Sequence, residues 1–251
     1  MPLLSAELGQ NFEGRVDTAK MLIQVAAPLS DIIKLQYWNV AAIYRKDDVR
    51  YLPTKERALL FGDVMKLVEL IKQFGRVPCV SCFGANLEEY KRLYDAGVLV
   101  KYASSEFDVY REHAQLFPQR KLVSLGYYDG SVEKLPRGNV VYMGCDPHYP
   151  SVYPESSLLM LGKLNAAGFV FGYSDHMVGL QAAKAAVLMG AYCIEKHFTT
   201  ERLRASSSFR DHKCSMDVKE LAELRDFISA HEDPEHIRKD EEGYRRVKSS
   251  A

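Results

Sequence analysis

The feature that most constrains the fold is a repeat of short apolar runs, rich in β-branched and aromatic residues, separated by stretches with helical periodicity. Strands that alternate with helices form parallel sheets, and eight such units favour closure of the sheet into a barrel. The sequence of 251 residues therefore predicts an α/β fold, a single-domain (β/α)8 TIM barrel. The predicted strands are Leu3–Leu8, Ile32–Trp38, Cys79–Phe83, Val98–Ser104, Lys121–Gly126, Val140–Cys145, Phe169–Ser174 and Tyr192–Phe198.

Amphipathic patterns predict helices in most of the intervals between these strands. Asp17 and Asp217 are predicted to cap the first and last of them, and Gly75 and Gly190 stand where helix ends favour glycine. The segment 127–138 has little helical pattern, so one barrel helix is predicted to be short or missing. The predicted helices are Thr18–Ala27, Thr54–Phe74, Leu87–Ala96, Ser156–Ala166, Leu180–Met189 and Val218–Ala230.

Two boundaries complete the predicted organisation. The barrel is expected to span residues 1–230, and residues 231–251 form a charged tail that is nearly devoid of aliphatic residues. Such a tail is either a solvated helix or disordered, because it cannot bury a core of its own.

Composition excludes several classes of function. The 33 acidic and 33 basic residues balance, so no net positive charge attracts nucleic acid or an anionic membrane. No apolar run is long enough to span a bilayer, and the first residues lack the pattern of a signal peptide. The five cysteines are odd in number, and Cys79 and Cys82 lack the second pair of a zinc site. We expect a cytoplasmic protein with reduced thiols that binds small molecules.

Two histidines follow neighbouring predicted strands. His176 and His197 each end an apolar run, and one helical segment lies between them. The carboxyl ends of parallel strands meet at the edge where such folds bind ligands, so both imidazoles are expected at one rim. Two imidazoles held in this way can share a divalent metal such as Mn²⁺, Zn²⁺ or Fe²⁺. The alternative is that each histidine caps its own strand and packs locally.

Other polar residues also collect at the predicted strand ends. Lys34 and Lys101 lie within strands, where an unpaired charge is costly, and together they indicate an anion with two negative groups, such as a phosphate and a carboxylate. The alternative is that the lysines form ion pairs, for instance Lys34 with Glu7. The polar residues of this rim include Glu7, Gln36, Ser104, Ser105, Glu106, Ser124, Asp146, His148, Tyr149, Ser174, Glu195 and Lys196.

Several of these residues belong to motifs that resemble the sialic acid (N-acetylneuraminate) synthase family. The motifs are ELGQNFEGRVDTAKMLI, IIKLQ, VKYASSE, GYSDHMVG and IEKHFT, and the resemblance runs from Ser5 to about Met216. That family condenses phosphoenolpyruvate with an N-acylated aminosugar to give a nonulosonic acid. The resemblance therefore implies a transferase that joins phosphoenolpyruvate to an aldose, yielding a 3-deoxy-2-keto sugar acid and phosphate.

The resemblance also implies a role for individual residues. His176 and His197 fall on the metal ligands of the family, whose metal is usually Mn²⁺, with Mg²⁺, Co²⁺ and Zn²⁺ as alternatives. The implied catalytic residues are Glu7, Lys101 and Glu106. The implied substrate-binding residues are Lys34, Gln36, Ser104, Tyr149, Ser174 and Asp211.

The sequence departs from the family pattern at three positions. Phe12 replaces a histidine, Cys82 replaces a threonine that approaches the phosphate, and Pro147 removes a backbone amide on the phosphate side. The resemblance covers the barrel and not the antifreeze-like (SAF) domain that follows it in the family and supplies an arginine to the partner subunit. We therefore expect either a homodimer or a separate SAF-type partner chain.

Two alternatives stay open at this point. The same metal barrel can serve a sugar-acid aldolase, which uses pyruvate and releases no phosphate. The departures at Phe12, Cys82 and Pro147 are also compatible with a non-catalytic protein of glycan biosynthesis that binds a sugar or a metal.

Overall fold

The eight predicted strands pair in parallel in chain order, and the last pairs with the first to close the sheet. The computed structural model describes residues 1–201 and 210–231, and within those residues the closed barrel confirms the predicted fold. Two strands have the predicted bounds, and the other six differ by one or two residues at one or both ends. The strands are β1 (Leu3–Glu7), β2 (Ile32–Trp38), β3 (Val77–Phe83), β4 (Leu99–Tyr102), β5 (Lys121–Ser124), β6 (Val140–Cys145), β7 (Phe171–Asp175) and β8 (Cys193–His197).

One predicted helix is divided in the structure, and three short helices, at 40–43, 107–113 and 210–214, were not predicted. The single helix predicted over 54–74 is wrong, because the backbone is extended at Ala58 and Leu60 and divides it in two. The segment 127–138 holds only one turn of 3₁₀ helix, as expected. The helices are α1 (Val16–Ala26), α2 (Val40–Ile43), α3 (Tyr51–Arg57), α4 (Phe61–Gln73), α5 (Leu87–Asp95), α6 (Phe107–His113), α7 (Glu155–Ala166), α8 (Gln181–Leu188), α9 (Arg210–Cys214) and α10 (Val218–Ala230).

The ends of the helices follow the predicted chemistry with one exception. The Asp217 side chain caps α10 in a capping box with Glu220. Gly75 and Gly190 follow α4 and α8 with φ angles of +67° and +85°, the left-handed conformation that glycine adopts without strain. The prediction for Asp17 is wrong, since this residue lies in the first turn of α1 and makes no capping bond there.

Alternate residues of each strand face the barrel interior and the surrounding helices. Where the strands begin, the interior is closed by a small apolar cluster. Gly172 of β7 leaves room for this cluster, because a Cβ there would lie 2.4 Å from the Met143 sulfur. The floor of the barrel consists of Leu3, Ile32, Cys79, Leu122, Val141, Met143 and Cys193.

The other face of each strand packs against the helices. Leu35, Val80 and Tyr173 belong to this larger apolar core, where each fully buried side chain contributes about 1.5–3 kcal/mol. No helix in the described ranges is long and apolar enough to cross a membrane. The predicted tail at 231–251 lies outside the described residues beyond His231.

Candidate active site

A cavity of about 380 Å³ opens at the carboxyl ends of the strands, above the apolar floor. Ten of the eleven residues predicted for the site line it, and only Glu106 does not. Their convergence follows from the barrel, since each strand contributes inward-facing residues near its end. The ten residues are Glu7, Lys34, Gln36, Lys101, Ser104, Tyr149, Ser174, His176, His197 and Asp211.

Four buried charged side chains form the lower part of the cavity. The Lys34 ammonium contacts the Glu7 carboxylate, and the Lys101 ammonium contacts Oε1 of Glu195. Lys34 Nζ lies 3.7 Å from that same Glu195 oxygen. The ion pair proposed between Lys34 and Glu7 therefore exists, and it lies inside the cavity rather than apart from it.

The balance of charge in this cluster sets the ionisation of its members. Burial lowers the pKa of Lys34 to about 8. Burial also opposes the charge on Lys101, but the Glu195 carboxylate outweighs it and raises the pKa of that lysine. The two ammonium groups in turn hold the pKa of Glu195 below its usual range, against the effect of burial. Lys34, Lys101 and Glu195 therefore stay charged at neutral pH.

Serine hydroxyls lie among these charges. The Ser174 hydroxyl accepts a hydrogen bond from Lys101 at 3.1 Å and donates one to Glu195 at 3.0 Å. Ser81 and Ser124 also line the cavity, and their buried hydroxyls have no hydrogen-bond partner in the part of the chain that the structure describes. Because a buried polar group without a partner is costly, these hydroxyls are suited to donate to a bound anion.

The structure corrects the expectation for Cys82. Its side chain belongs to the apolar core between the strands and the helices, while the neighbouring Ser81 faces the cavity. Phe12 also packs in that core, fully buried and away from the cavity wall. Pro147 does line the cavity, so only this third departure from the family pattern lies on its surface.

His176 is held in one tautomer. Its Nδ1–H donates to the backbone carbonyl of Asp146 at 2.6 Å, which leaves the lone pair of Nε2 available. The ring of Tyr149 stacks on the imidazole, with 3.9 Å between the ring centroids. Burial and the neighbouring His197 lower the pKa of His176 to about 3, so the ring is neutral at physiological pH.

His197 lies beside it, with 5.6 Å between the two ring centroids. Its Nδ1 lies 3.7 Å from Oδ2 of Asp211, too far for a hydrogen bond, and has no other partner among residues 1–201 and 210–231. Burial, and then the positive charge of Lys34, hold the pKa of His197 well below its usual range. The backbone of Gly9 passes close by, and a Cβ on it would lie 2.8 Å from this imidazole.

His176 and His197 are the candidate metal ligands of this site. The described residues contain no group of three or more His, Cys, Asp or Glu side chains able to do so. However, both imidazoles are neutral, which is the form that binds metals, and the Nδ1 of His197 is a buried atom without a partner. The pair fits a metal that takes its remaining ligands from water or substrate.

The outer part of the cavity differs from the charged lower part. The Gln36 side chain accepts a hydrogen bond from the Trp38 indole at 3.2 Å, and Trp38 stacks on Phe83 with 3.9 Å between ring centroids. Oδ2 of Asp211 accepts a hydrogen bond from the backbone of Gln10 at 3.1 Å. Aromatic side chains with a few polar or charged groups among them are typical of sites that bind small-molecule ligands.

Glu106 is the predicted residue that the structure places elsewhere. It ends a short 3₁₀ turn after β4 and does not line the cavity. Partial burial raises the pKa of its carboxyl. Tyr90 and Tyr102 pack between the strands and the helices, where burial raises the pKa of each hydroxyl and the negative charge of Glu106 adds to the effect.

Three polar residues at the lower end of the cavity had no predicted role, namely Glu195, Ser81 and Ser124. Glu195 and Ser124 were predicted at the rim, and Ser81 was not predicted there. The signal for them was present in the sequence. Ser81 follows Cys79 by two residues, and Glu195 precedes His197 by two, so the alternation of each strand places them on the interior face.

Comparison with known proteins agrees with this geometry. The profile of the NeuB family matches residues 122–235. The chain is 27% identical over 249 residues to the N,N'-diacetyllegionaminic acid synthase of Campylobacter jejuni, covering 88% of this chain and 74% of that protein. It is 31% identical over 243 residues to the N-acetylneuraminate-9-phosphate synthase of Homo sapiens, covering 87% of this chain and 67% of that protein.

A solved structure shows the same fold. The sialic acid synthetase of Leptospira borgpetersenii, solved in complex with citrate, superposes with a TM-score of 0.81 at 24% identity, over 98% of this chain and 92% of that one. The chain spans about two thirds to three quarters of the length of the two curated relatives named above.

Proposed function

Because this chain belongs to the sialic acid synthase (NeuB) family of enzymes, we propose that it condenses phosphoenolpyruvate with an open-chain aldose. The acceptor is an N-acylated aminosugar or a related sugar, and the products are a nonulosonic or related 3-deoxy-2-keto acid and phosphate. The observation that carries the proposal is the pair of buried lysines, surrounded by serine hydroxyls, beneath two neutral histidines.

The reaction makes two bonds and breaks one. The methylene carbon of phosphoenolpyruvate joins the aldehyde carbon, and the aldehyde oxygen gains a proton. The oxygen of a water molecule adds to the enol carbon, the C–O bond to phosphate breaks, and the added oxygen becomes the keto oxygen. Of the two protons that the water loses, one balances the proton gained by the aldehyde oxygen and the other leaves with phosphate. The protein therefore has to hold two anionic groups, place a water molecule and stabilise positive charge at the enol carbon.

The lysines are proposed to hold phosphoenolpyruvate. Lys34 and Lys101 present two ammonium groups in one buried cluster, which match a carboxylate and a phosphate. Ser174 already contacts Lys101, and the unpartnered hydroxyls of Ser81 and Ser124 can donate to phosphate oxygens. Ser104 accepts a hydrogen bond from the Gly126 amide at 3.0 Å and lies on the same wall.

Glu7 is proposed to act at the reacting carbons. It is fully buried against Lys34, and its Oε1 accepts a hydrogen bond from the Gly9 amide at 2.5 Å. A carboxylate held in this way can orient the attacking water and stabilise the positive charge that develops at the enol carbon. Glu106 does not line the cavity and therefore has no step in this reaction.

His176 and His197 are proposed to hold the divalent metal, with Mn²⁺ the expected ion. When bound, the metal supplies Lewis-acid polarisation of the aldehyde oxygen. Gln36, Tyr149 and Asp211 line the adjacent wall and are proposed to bind the hydroxyl groups of the acceptor sugar. The homodimer and the separate SAF-type partner stay predictions.

The test is release of phosphate from phosphoenolpyruvate in the presence of Mn²⁺ and a panel of aldoses, with and without N-acyl groups. We expect release to require both a metal and one class of sugar, and to be lost in His176→Ala and Lys101→Met. As a matched control, Lys184→Met removes a surface ion pair with Glu223 and should leave release unchanged. Full activity of His176→Ala would refute the assignment of the histidines.

One observation favours a second candidate, an aldolase acting on a sugar acid. Burial lowers the pKa of Lys34 to about 8, and a buried lysine with a lowered pKa is a suitable nucleophile for a carbonyl carbon. In an aldolase of this type, the Lys34 amine and the ketone of pyruvate would form an imine and release one water molecule. Borohydride in the presence of pyruvate would then add the corresponding mass to the peptide that contains Lys34, whereas the synthase would remain unlabelled.

A further inference from the structure

We propose that a buried ion pair on the outer side of the barrel, between Lys196 and Asp175, positions the two histidines. The inference rests on the proposed function in one respect, namely that His176 and His197 hold a metal. Neither member of the pair lines the cavity, so both are positioning residues and not catalytic ones.

Each member of the ion pair directly precedes one of the two histidines in the sequence. Asp175 immediately precedes His176 at the end of β7, and Lys196 immediately precedes His197 at the end of β8. The two residues are register partners in the sheet. Because successive side chains of a strand point to opposite faces, the ion pair outside the barrel is the counterpart of the imidazole pair inside it.

The pair also fixes the backbone on the other side of His176. Lys196 Nζ lies 3.0 Å from Oδ2 of Asp175 and donates a second hydrogen bond to the carbonyl of Met177 at 2.5 Å. Oδ1 of Asp175 accepts a hydrogen bond from the Met177 amide at 2.9 Å. His176 is thus held between two anchored neighbours, and the anchor for both is the side chain that precedes His197.

Stability alone does not account for charges at this place. Both side chains have 0% exposure, and removing two charges from water costs more than their attraction commonly returns. The preceding register pair on the same face, Tyr173 and Ile194, fills the equivalent space in the apolar core. Unlike an apolar pair, the ion pair makes directional bonds to the backbone that carries His176, and this difference supports a positioning role.

The test compares three variants of the full chain with the wild type. Lys196→Met and Asp175→Asn each break the pair, and the double variant Asp175→Leu/Lys196→Met replaces it by apolar groups. Mn²⁺ affinity is measured from the electron paramagnetic resonance signal of the free ion, and unfolding is followed by circular dichroism without metal. The matched control is Asp31→Asn, which breaks the ion pair with Arg225 at 2.5 Å near the start of β2.

We expect both single variants to bind Mn²⁺ about 10- to 100-fold more weakly, the usual effect of losing groups that orient metal ligands. The control should lose stability but keep its Mn²⁺ dissociation constant within about twofold, since Asp31 lies at the opposite end of the barrel. The double variant separates the two roles of the pair. It should recover thermal stability without recovering Mn²⁺ affinity, because it lacks the bonds to Met177.

A second readout does not depend on the metal. The ring ¹⁵N resonances of the two histidines, assigned with His176→Ala and His197→Ala, report tautomer and hydrogen bonding in the metal-free protein. They should change in Lys196→Met and not in Asp31→Asn. Unchanged resonances and Mn²⁺ affinity in the single variants would overturn the positioning role. If the wild type failed to bind Mn²⁺, the proposed metal site would fail, and the resonances would still decide the role of the pair.

Discussion

Replacing Glu195 by Gln should destabilise the free protein and make its stability depend strongly on the substrate. The carboxylate contacts Lys101 and lies 3.7 Å from Lys34, and all three side chains are buried. At an effective dielectric constant of about 20, the attraction between two unit charges 3.7 Å apart is about 4.5 kcal/mol. Removing one partner of a buried ion pair costs about 3–5 kcal/mol, because the remaining charge is left uncompensated.

The change can be measured by thermal unfolding. For a chain of this size each kcal/mol lowers the Tm by about 2–4 °C, so Glu195→Gln should lower it by about 10 °C at pH 7. Saturating phosphoenolpyruvate should narrow the gap to the wild type, since the anion supplies the lost negative charge. Glu223→Gln is the control, because the same substitution there removes one charge from a surface ion pair with Lys184, and such a pair is worth about 1 kcal/mol or less.

The dependence of the Tm on pH gives a further check that the ionised Glu195 carboxylate stabilises the folded protein. The folded protein holds the pKa of Glu195 below its unfolded value of 4.5, so the ionised carboxylate stabilises the protein above that pH. This contribution is lost as the pH falls through the lowered pKa, and the gap to Glu195→Gln should shrink below pH 4.5. Equal Tm values at pH 7, or a gap that phosphoenolpyruvate does not narrow, would refute the reasoning.

Two further predictions concern residues around the same cavity. Burial lowers the pKa of Lys34 to about 8, so kcat/KM for phosphoenolpyruvate should fall above that pH as the ammonium group is lost. A pH-rate profile measures this fall, and an active Lys34→Arg variant should not show it. Gly9→Ala should lower the rate of phosphate release at least tenfold, because its Cβ would lie 2.6 Å from Asp211 and 2.8 Å from His197, and Gly62→Ala in open space should not.

The barrel was predictable because its signal is repeated. Each strand combines β-branched and aromatic residues with a helical pattern before the next strand, so an error of one or two residues at one end leaves the topology unchanged. The break between α3 and α4 was not visible, since residues 54–74 keep a helical pattern while the backbone becomes extended at Ala58 and Leu60. A local change of two dihedral angles has no periodic signature.

The site residues that lie within strands were predictable, because the alternation of side chains along a strand gives the direction of each one. Lys34, Lys101 and His197 lie within strands, and their inward direction follows from the two-residue period. Glu106 lies beyond the end of β4, in a 3₁₀ turn, where that period no longer applies. Cys82 shows the opposite case, because the resemblance assigned it to the phosphate although the alternation of β3 turns it outward and Ser81 inward.

The pairing of lysines with glutamates in the lower part of the cavity explains how one site can be stable without substrate and still bind a highly charged one. Two buried ammonium groups alone would repel each other, and burial already lowers the pKa of Lys34. Glu7 and Glu195 compensate them in the empty cavity without filling it, since the Ser81 and Ser124 hydroxyls remain unpartnered among the described residues. An anionic substrate then meets lysines that are already charged and hydroxyls that gain a hydrogen bond on binding, so little reorganisation is needed before the reaction begins.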